Sequence, residues 1–469
     1  MYGVGDVVDV HLIGIAGSGL SAIARFLLES GFSVSGSDRQ ASPILESLSK
    51  AGARVYVGHD PENVSGASLV VRSSAIPDDN VEVQAALAAN IPVLKRADFL
   101  GTLMDERTGI AVAGTHGKTT TTAMVAWMLS SLGQDPSYII GSDSRNLGTN
   151  ARAGKGPAFV IEADEYDRMF LGLKPKVAVI TNVEYDHPDF FLAKEDYFQA
   201  FSEFASSLED DGVLLVCGDD SGASRLLQEA GAHGIKALAY GICDQDYDYY
   251  AHGMAHNPVG GLTFEVIIRS RSSEPMRIAL QVPGEHNVRN CLAALAVADQ
   301  LGLPLNEAAR ALSAFKGTGR RFEVLGEANG ITVIDDYAHH PTEIRATLSA
   351  ARARFPGRQL WVVWQPHTYS RTRSLFADFA TAFIEANHVV VTEVYAAREP
   401  VEADFSALHV VQAMDHPDAY FIPDLTQTTA FLLTHMDQGD VLLVLSAGDA
   451  DQVSAQVLAA LRERSRTDD

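Results

Sequence analysis

Residues 111–129 read "AVAGTHGKTTTTAMVAWML". The stretch passes from an apolar run, through two glycines, a histidine and a lysine, into four threonines and an apolar helical pattern. Such a strand–turn–helix points backbone N–H groups and the positive end of a helix dipole at one place, the arrangement a bound phosphate requires. Lys118 would reach the outer phosphates and Thr119 would offer its hydroxyl to Mg2+. The general phosphate-loop pattern has a further glycine five residues before Gly117, where this chain has Val112. A tight turn with a threonine near a helix N-terminus accounts for the same residues without a ligand, so the surrounding chain has to decide.

At 469 residues the chain exceeds one ordinary core, and two or three domains are expected. Strand-like runs alternate with amphipathic helical patterns, which predicts α/β domains with mainly parallel sheets. The first unit opens with "VDVHLIGIAG" and ends near Glu106, and the second is built around the phosphate loop. Within the second, "LTFEVIIRS" and "MRIALQV" alternate with period two and predict an antiparallel extension. "KGTGRRFEVLG" reads as a hinge to a third unit containing "ITVIDDYA", "QLWVVWQP" and "DVLLVLSAG", and the charged end "RERSRTDD" reads as frayed.

The formal net charge of −24 disfavours nonspecific binding to nucleic acid or to an anionic membrane. No apolar run approaches the ~18 residues of a membrane span, so no membrane insertion is expected. Asp6 and Asp9, with no basic residue before the apolar stretch, argue against a signal peptide and make a cytoplasmic location the default. Cys217, Cys243 and Cys291 are three and widely spaced, which suits buried thiols better than a disulfide framework or a metal pair.

Downstream of the phosphate loop, "VIEADEYD" puts Glu162 and Asp164 after one strand, and "VITNVEYDH" puts Asn182, Glu184, Asp186 and His187 after the next. In a parallel sheet these positions share the carboxyl edge with the phosphate loop, where open α/β sheets bind ligands. Hard oxygens and one imidazole beside a triphosphate suit one or two Mg2+ ions. "GIAGSG", with Gly14, Gly17 and Gly19 and with Asp38 about twenty residues on, supports a pyrophosphate or sugar diphosphate at a helix N-terminus. His286, Asn287 and Asn290 share one face of a helix start, and Arg320 and Arg321 at a domain junction could meet phosphates when domains close. His339, His340, His367, Arg371 and Arg373 concentrate positive or titratable groups at two strand ends, a carboxylate or phosphate site in an acidic chain.

Together "HLIGIAGSGLSAIA", "SGSD", "SSAI", "GTHGKTTTT", "EADEYD", "TNVEYDH", "GEHNVRN", "GTGRRF", "DDYAHHPTEI" and "QPHTYSRTR" closely resemble the Mur ligase family, in order and over essentially the whole chain. The resemblance implies an α/β enzyme of three domains. Residues 1–105 would form a Rossmann-like domain for a UDP-sugar, 106–319 a central P-loop ATPase-like domain with a mixed sheet, and 320–469 a C-terminal Rossmann-like domain. It implies an ATP- and Mg2+-dependent ligase of peptidoglycan synthesis, of the branch that joins L-alanine to UDP-N-acetylmuramate through an acyl phosphate. By resemblance Gly114, Thr115, His116, Gly117, Lys118, Thr119 and Thr120 bind ATP, and Thr119, Glu162 and His187 hold Mg2+. Asn287 and Asn290 lie near the adenine, Arg321 reaches the phosphates and Asp336 is an essential acid. Gly14, Gly17, Gly19 and Asp38 fall where the family holds UDP, and His339, His340, His367 and Arg371 fall around the incoming amino acid.

Thr368 stands where many members have arginine, which shifts anion binding to Arg371 and leaves alanine, glycine and serine open as substrates; Ala16 replaces a common glycine. The neighbouring branch that recycles a tripeptide shares "EADEYD" but carries a longer insertion after it. Two other classes remain as contrasts: a dehydrogenase using "GIAGSG" and Asp38 would bind nicotinamide without consuming ATP, and a regulatory module would bind ATP without joining substrates. The sequence leaves monomer and homodimer open.

Overall fold

The computed structural model describes residues 9–105, 107–271 and 275–467. The leader reading that rested on Asp6, the boundary at Glu106 and the last two residues of the charged tail lie outside the described residues.

The apolar runs form three sheets. The first contains β1 (Asp9–Ile13), β2 (Ser33–Asp38), β3 (Arg54–Val57), β4 (Leu69–Arg72) and β5 (Val93–Lys95), all parallel in the order β3-β2-β1-β4-β5. The loop after β1 therefore opens where the strand order reverses, the crevice in which such sheets bind ligands.

The second sheet contains β6 (Thr108–Ala113), β7 (Ser137–Ile139), β8 (Ala151–Arg152), β9 (Ala158–Glu162), β10 (Val177–Ile180), β11 (Val213–Cys217), β12 (Ala237–Gly241), β13 (Tyr249–His256), β14 (Leu262–Ile268) and β15 (Met276–Ala279). Its order is β15-β14-β13-β12-β11-β10-β6-β9-β7-β8. The pairs β13–β14 and β14–β15 are antiparallel, as the period-two runs predict, and β7–β8 is antiparallel too, so the sheet is mixed. The third sheet runs β16 (Glu323–Ala328), β17 (Ile331–Asp336), β21 (Val441–Ser446), β18 (Leu360–Gln365), β19 (His388–Val391), β20 (Ala419–Phe421), with only β16–β17 antiparallel.

Packing joins the sheets. One apolar core runs from Val10 and Phe26 of the first unit to Phe159, Phe170 and Phe201 of the second, and the Phe26 and Phe159 rings stack with centroids 5.4 Å apart. The helices Lys118–Ser131 and Glu285–Gln300 bury nearly every side chain beneath the central sheet. Thr121 and Thr122 are accordingly packed inside, with the Thr122 hydroxyl donating to the Lys118 carbonyl at 2.8 Å. No described helix is long and apolar enough to cross a membrane.

Three expectations are corrected. The last four residues of the expected hinge belong to strand β16, and the Gly317–Gly319 segment is tied to the central unit: Arg145 N–H donates to the Gly317 carbonyl and Gly319 N–H to the Asp143 carbonyl. The tail does not fray at Arg462, because Val453, Val457, Leu458 and Leu461 recur at helical spacing, bury, and carry the helix Asp451–Thr467 onward. Cys243 is exposed in the loop after β12, whereas Cys217 and Cys291 are buried as expected.

The glycine loop of the first sheet rests on a buried polar network. Gly14 and Ile15 N–H groups donate to the Ser37 carbonyl, and the Ser37 hydroxyl donates to Glu82 at 2.5 Å. Glu82 also accepts from Asn63 and from Asp60 N–H, and lies 3.5 Å from His11. Burial opposes its ionisation, but His11 and the donors around it outweigh that and hold its carboxyl down at about 2. Glu82→Ala strands these donors inside the fold. It is expected to lower stability by about 3 kcal/mol, read from the first transition in urea; an unshifted transition would show the network to be incidental.

Candidate active site

The register of the central sheet sets the site. Ala113 at the end of β6 is level with Ile180 of β10, and Val112 with Glu162 of β9, so the three following loops open side by side. Gly114 has φ +137° and Gly117 φ +79°; a Cβ on Gly114 would overlap the Thr181 hydroxyl, and one on Gly117 would lie 2.9 Å from Asn290 Oδ1. Only glycine fits both the backbone and the space.

Lys118 begins the helix, and its Nζ lies 2.8 Å from Glu165 Oε2 while donating to the Gly114 and Thr115 carbonyls. Burial works against its charge, but Glu165, Asp164 and Glu162 outweigh that and raise its pKa. The Thr119 hydroxyl donates to Glu162 Oε1 at 3.1 Å, and Glu162 Oε2 accepts from Gly141 N–H at 2.8 Å. Burial pushes the Glu162 carboxyl up despite Lys118. His187 adopts φ 55°, which turns its Nε2 to 3.5 Å from Glu165, and its Nδ1 is buried with no hydrogen-bond partner.

Two cavities adjoin this edge. The smaller, about 320 Å³, is lined by Thr120, Tyr240, Val282, His286, Asn287, Asn290, Arg321 and Asp336. Asn287 donates to the Pro283 carbonyl at 2.7 Å, and Asn290 to Asn287 Oδ1 at 3.1 Å. Burial, reinforced by Arg289, lowers His286 to about 4 and keeps it neutral. Asp336 accepts from Phe322 and Ala338 N–H groups at 2.7 Å each, fixing the junction, while burial pushes its carboxyl up to about 6 against Arg321.

The larger cavity, about 480 Å³, is lined by Gly19, Arg96, Lys118, Thr119, Glu162, Glu165, His187, Arg321, His339, His367 and Arg371 among others. Gly19 reaches it because a Cβ there would overlap the Arg96 guanidinium, whose Nη2 pairs with Asp164 at 3.2 Å. Gly14, Gly17 and Asp38 line neither cavity; they shape the loop behind Gly19, with Asp38 accepting from Ala16 N–H at 3.0 Å.

On the C-terminal side Arg371 is buried and bidentate to Asp186, at 2.7 and 3.2 Å, and its Nη1 meets His367 Nδ1. Its guanidinium is thus engaged by the protein rather than left open for an anion. Burial lowers His339 to about 4 and, with Arg371, His367 to about 2, so both imidazoles are neutral; His339 donates from Nδ1 to the Tyr337 carbonyl and leaves Nε2 as an acceptor, whereas His367 Nδ1 accepts from Arg371 and its Nε2 carries the proton. His340 does not line the larger cavity. It caps the helix Pro341–Arg354, with Glu343 closing the capping box, and its ring packs 4.7 Å from His116.

Residues that sequence reasoning left unassigned complete the site. Glu165 sits inside the quoted "EADEYD" and Glu343 inside "DDYAHHPTEI", and either could have been picked out as a partner for a cation; Arg96 carries no local signal. His116 lies between Glu184 and Glu343, 3.1 Å from each, so the phosphate loop is joined to the third unit. Burial would lower His116, but Glu343 and Glu184 outweigh it and raise it to about 9.

Because that value lies above the ordinary 6.5, the stabilisation is complete below about pH 6.5 and is lost as pH rises through about 9. The contact is expected to loosen there, with the kcat/KM profile falling on its alkaline side. Glu343→Gln should move that limb down by about one pH unit; an unmoved limb would separate His116 from the pH dependence.

Comparison with known proteins supplies the lineage. Residues 9–108 match the Mur ligase family catalytic domain, 112–298 the Mur ligase middle domain and 320–448 the Mur ligase glutamate ligase domain. The UDP-N-acetylmuramate–L-alanine ligase of Roseiflexus sp. (strain RS-1) is 44% identical over 467 residues, covering 97% of this chain and 99% of the relative. The crystal structure of the UDP-N-acetylmuramate-alanine ligase of Thermotoga maritima aligns with TM-score 0.80 at 29% identity, over 98% of this chain and 100% of that one. A murein peptide ligase of Psychrobacter arcticus aligns with TM-score 0.72 at 25% identity, over 97% and 99%. With its three sheets, its phosphate loop and its domain matches running in the same order along the sequence, this chain belongs to the Mur ligase family.

Proposed function

We propose that this chain joins L-alanine to the lactoyl carboxylate of UDP-N-acetylmuramate, cleaving ATP to ADP and phosphate through an acyl phosphate. The observation that carries the reading is the larger cavity, into which all three units deliver polar groups: Arg96 from the first, Lys118 and Glu162 from the second, His339 and His367 from the third. The full-length similarity to relatives named for this reaction supports the choice of substrates.

The triphosphate lies over the loop Gly114–Thr120, where the helix N-terminus and Lys118 meet its outer oxygens. The adenine enters the smaller cavity toward Asn287 and Asn290, and Arg321, which lines both cavities, spans the join. The UDP diphosphate lies along the Gly14–Gly19 loop, where Arg96 stands at its mouth. Thr119 and Glu162 fit Mg2+: two hard oxygen donors 3.1 Å apart, the carboxyl pushed up by burial despite the Lys118 charge beside it. His187, with an unpartnered buried nitrogen, fits a second ion. When bound, the metal neutralises charge on the transferring phosphoryl group.

The lactoyl carboxylate oxygen attacks the γ-phosphorus, and the bond to the β-phosphate oxygen breaks, releasing ADP. Lys118 and Arg321 stabilise the charge spread over the phosphoryl oxygens. The alanine nitrogen, having lost a proton, then attacks the acyl carbon; the nitrogen of the tetrahedral intermediate loses a second proton, and the intermediate collapses to the amide as phosphate leaves with the carbon–oxygen electron pair. His339 offers the amine a neutral acceptor at Nε2 without adding charge, and the neutral His367, whose Nδ1 accepts from Arg371, lines the same wall. The packed third unit limits water that would hydrolyse the acyl phosphate. A cytoplasmic location belongs to this reading, because its nucleotide substrates are cytoplasmic; either a monomer or a homodimer accommodates it.

The tripeptide-recycling reading rests on "EADEYD" and on the Psychrobacter structure at 25% identity, against 44% for the Roseiflexus relative. Offering free L-alanine against L-Ala-γ-D-Glu-meso-diaminopimelate separates the two, and turnover with the tripeptide alone would reverse the choice. ADP release is expected to require UDP-N-acetylmuramate and L-alanine together, with Lys118→Ala reducing it by roughly 10²- to 10³-fold in a protein of unchanged circular dichroism. Release that persists with either substrate omitted would sink the ligase reading.

A further inference from the structure

We infer that Arg398 binds the α-carboxylate of the incoming amino acid and so selects for it; the inference rests on the ligase reading above. Arg398 follows β19 in a loop that is strapped to the segment carrying His367 and Arg371. Thr368 N–H donates to the Tyr395 carbonyl at 2.9 Å and Tyr395 N–H to the Pro366 carbonyl at 2.8 Å, and the His367 ring stacks on Tyr395. Glu399 accepts from Tyr369 and Ser370 N–H groups and from the Ser370 hydroxyl. Ala397, in the left-handed region at φ 53°, turns the chain so that Arg398 reaches the wall of the larger cavity.

The other cations of that wall are engaged elsewhere. Arg371 spends its guanidinium on Asp186 and His367, and Arg320 on Asp335 and the Ser446 carbonyl. Lys118 faces Glu165. Arg96, whose Nη2 pairs with Asp164, stands at the mouth of the loop proposed for the UDP diphosphate, and Arg321 sits at the join of the two cavities where the ATP phosphates are proposed to lie. Arg398 is the wall cation left without a phosphate to meet. Its Nε and Nη2 both address one oxygen of Asp189, its plane lies 4.2 Å from the Tyr166 ring, and its Nη1 has no hydrogen-bond partner among the described residues. A guanidinium held by one edge and by a ring face keeps a donor free for a carboxylate.

The chemistry of the second step requires such a group. The nucleophile is the unprotonated amine, so the amino acid arrives at the reacting centre with a net negative charge. It enters a cavity whose five carboxylates, Glu162, Asp164, Glu165, Asp186 and Glu343, are matched mainly by cations already paired with them or assigned to phosphates, in a chain of net charge −24. Without a local cation the carboxylate would be repelled. A cation at Arg398 compensates it from the same wall that presents the neutral His339 and His367.

The test measures KM for each substrate in the full-length enzyme, with Arg398→Met and Arg398→Lys. Arg398→Met is expected to raise KM for L-alanine by roughly 10- to 100-fold, with KM for ATP and for UDP-N-acetylmuramate within about twofold. Arg398→Lys should recover part of the loss, since it keeps the charge but not the fork. L-alaninamide, which lacks the carboxylate, supplies a readout that a structural defect would not move: preference for L-alanine over the amide should collapse in Arg398→Met. A variant that retains both the alanine KM and that preference, or one in which only the UDP-sugar KM rises, overturns the assignment while the ligase reading stands. Absence of alanine-dependent ADP release in the unaltered enzyme would instead remove the ligase reading, and this inference with it.

Discussion

The ion pair between Arg371 and Asp186 is the constraint on which the site depends. Both side chains are only 3% exposed, they lie 185 residues apart, and the bidentate contact exists only when the third unit sits on the central one. Removing two charges from water is costly, and the pair is tolerable only with good geometry on both partners. Burial would raise Asp186, but Arg371, paired and hydrogen-bonded to it, outweighs that and holds the carboxyl well below the usual range. Separating the units without hydrating the pair would leave a bare carboxylate beside the metal-ligand candidate His187. Closure of the third unit and the electrostatics of the phosphate edge are therefore one property.

A second consequence concerns charge balance. Six cationic side chains line the larger cavity, Arg96, Lys118, Arg320, Arg321, Arg371 and Arg398, against five carboxylates, Glu162, Asp164, Glu165, Asp186 and Glu343. The protein groups nearly neutralise one another, which lets the cavity exist within a strongly acidic chain. They leave little net positive charge for a triphosphate and a sugar diphosphate together. The Mg2+ proposed at Thr119 and Glu162 would supply positive charge that these side chains do not.

Much of this was legible in the sequence because it is written in the backbone's own terms. The phosphate loop, the loops after β9 and β10, and the glycine loop after β1 each follow an apolar run and precede a polar cluster, and parallel register places them at one edge. What escaped is tertiary. Nothing near Glu343 says that a capping-box residue also holds His116 of another unit, and nothing in "QPHTYSRTR" says that its arginine faces inward to Asp186. His340, read with its neighbour as a ligand-facing pair, is the residue that begins a helix, and only its partner His339 reaches the cavity. The hinge and the tail were misjudged for a related reason: charged composition hid Val324 and Leu325 in one and the spacing of Val457 and Leu461 in the other, apolar groups that packing recruits.

Backbone strain is the remaining feature that sequence patterns do not carry. Seven of the ten described non-glycine residues with positive φ lie in loops around the site: Asp167, Arg168, His187, Arg320, Phe322, Thr368 and Ala397. Each such conformation costs of order 1 kcal/mol, and more for a β-branched residue such as Thr368. It persists only where surrounding contacts over-determine it. Those contacts are present: Phe322 N–H is held by Asp336, Thr368 N–H by the Tyr395 carbonyl, and Arg168 by Glu203. The strain turns His187 toward Glu165, sets Arg321 between Arg320 and Phe322, and places His367 and Arg398 on the same wall. Replacing one of these residues with glycine would remove the local cost and leave the direction of its neighbour to those contacts alone. The loops thus exchange stability for direction, and they can do so because the apolar cores beneath them are built from other residues.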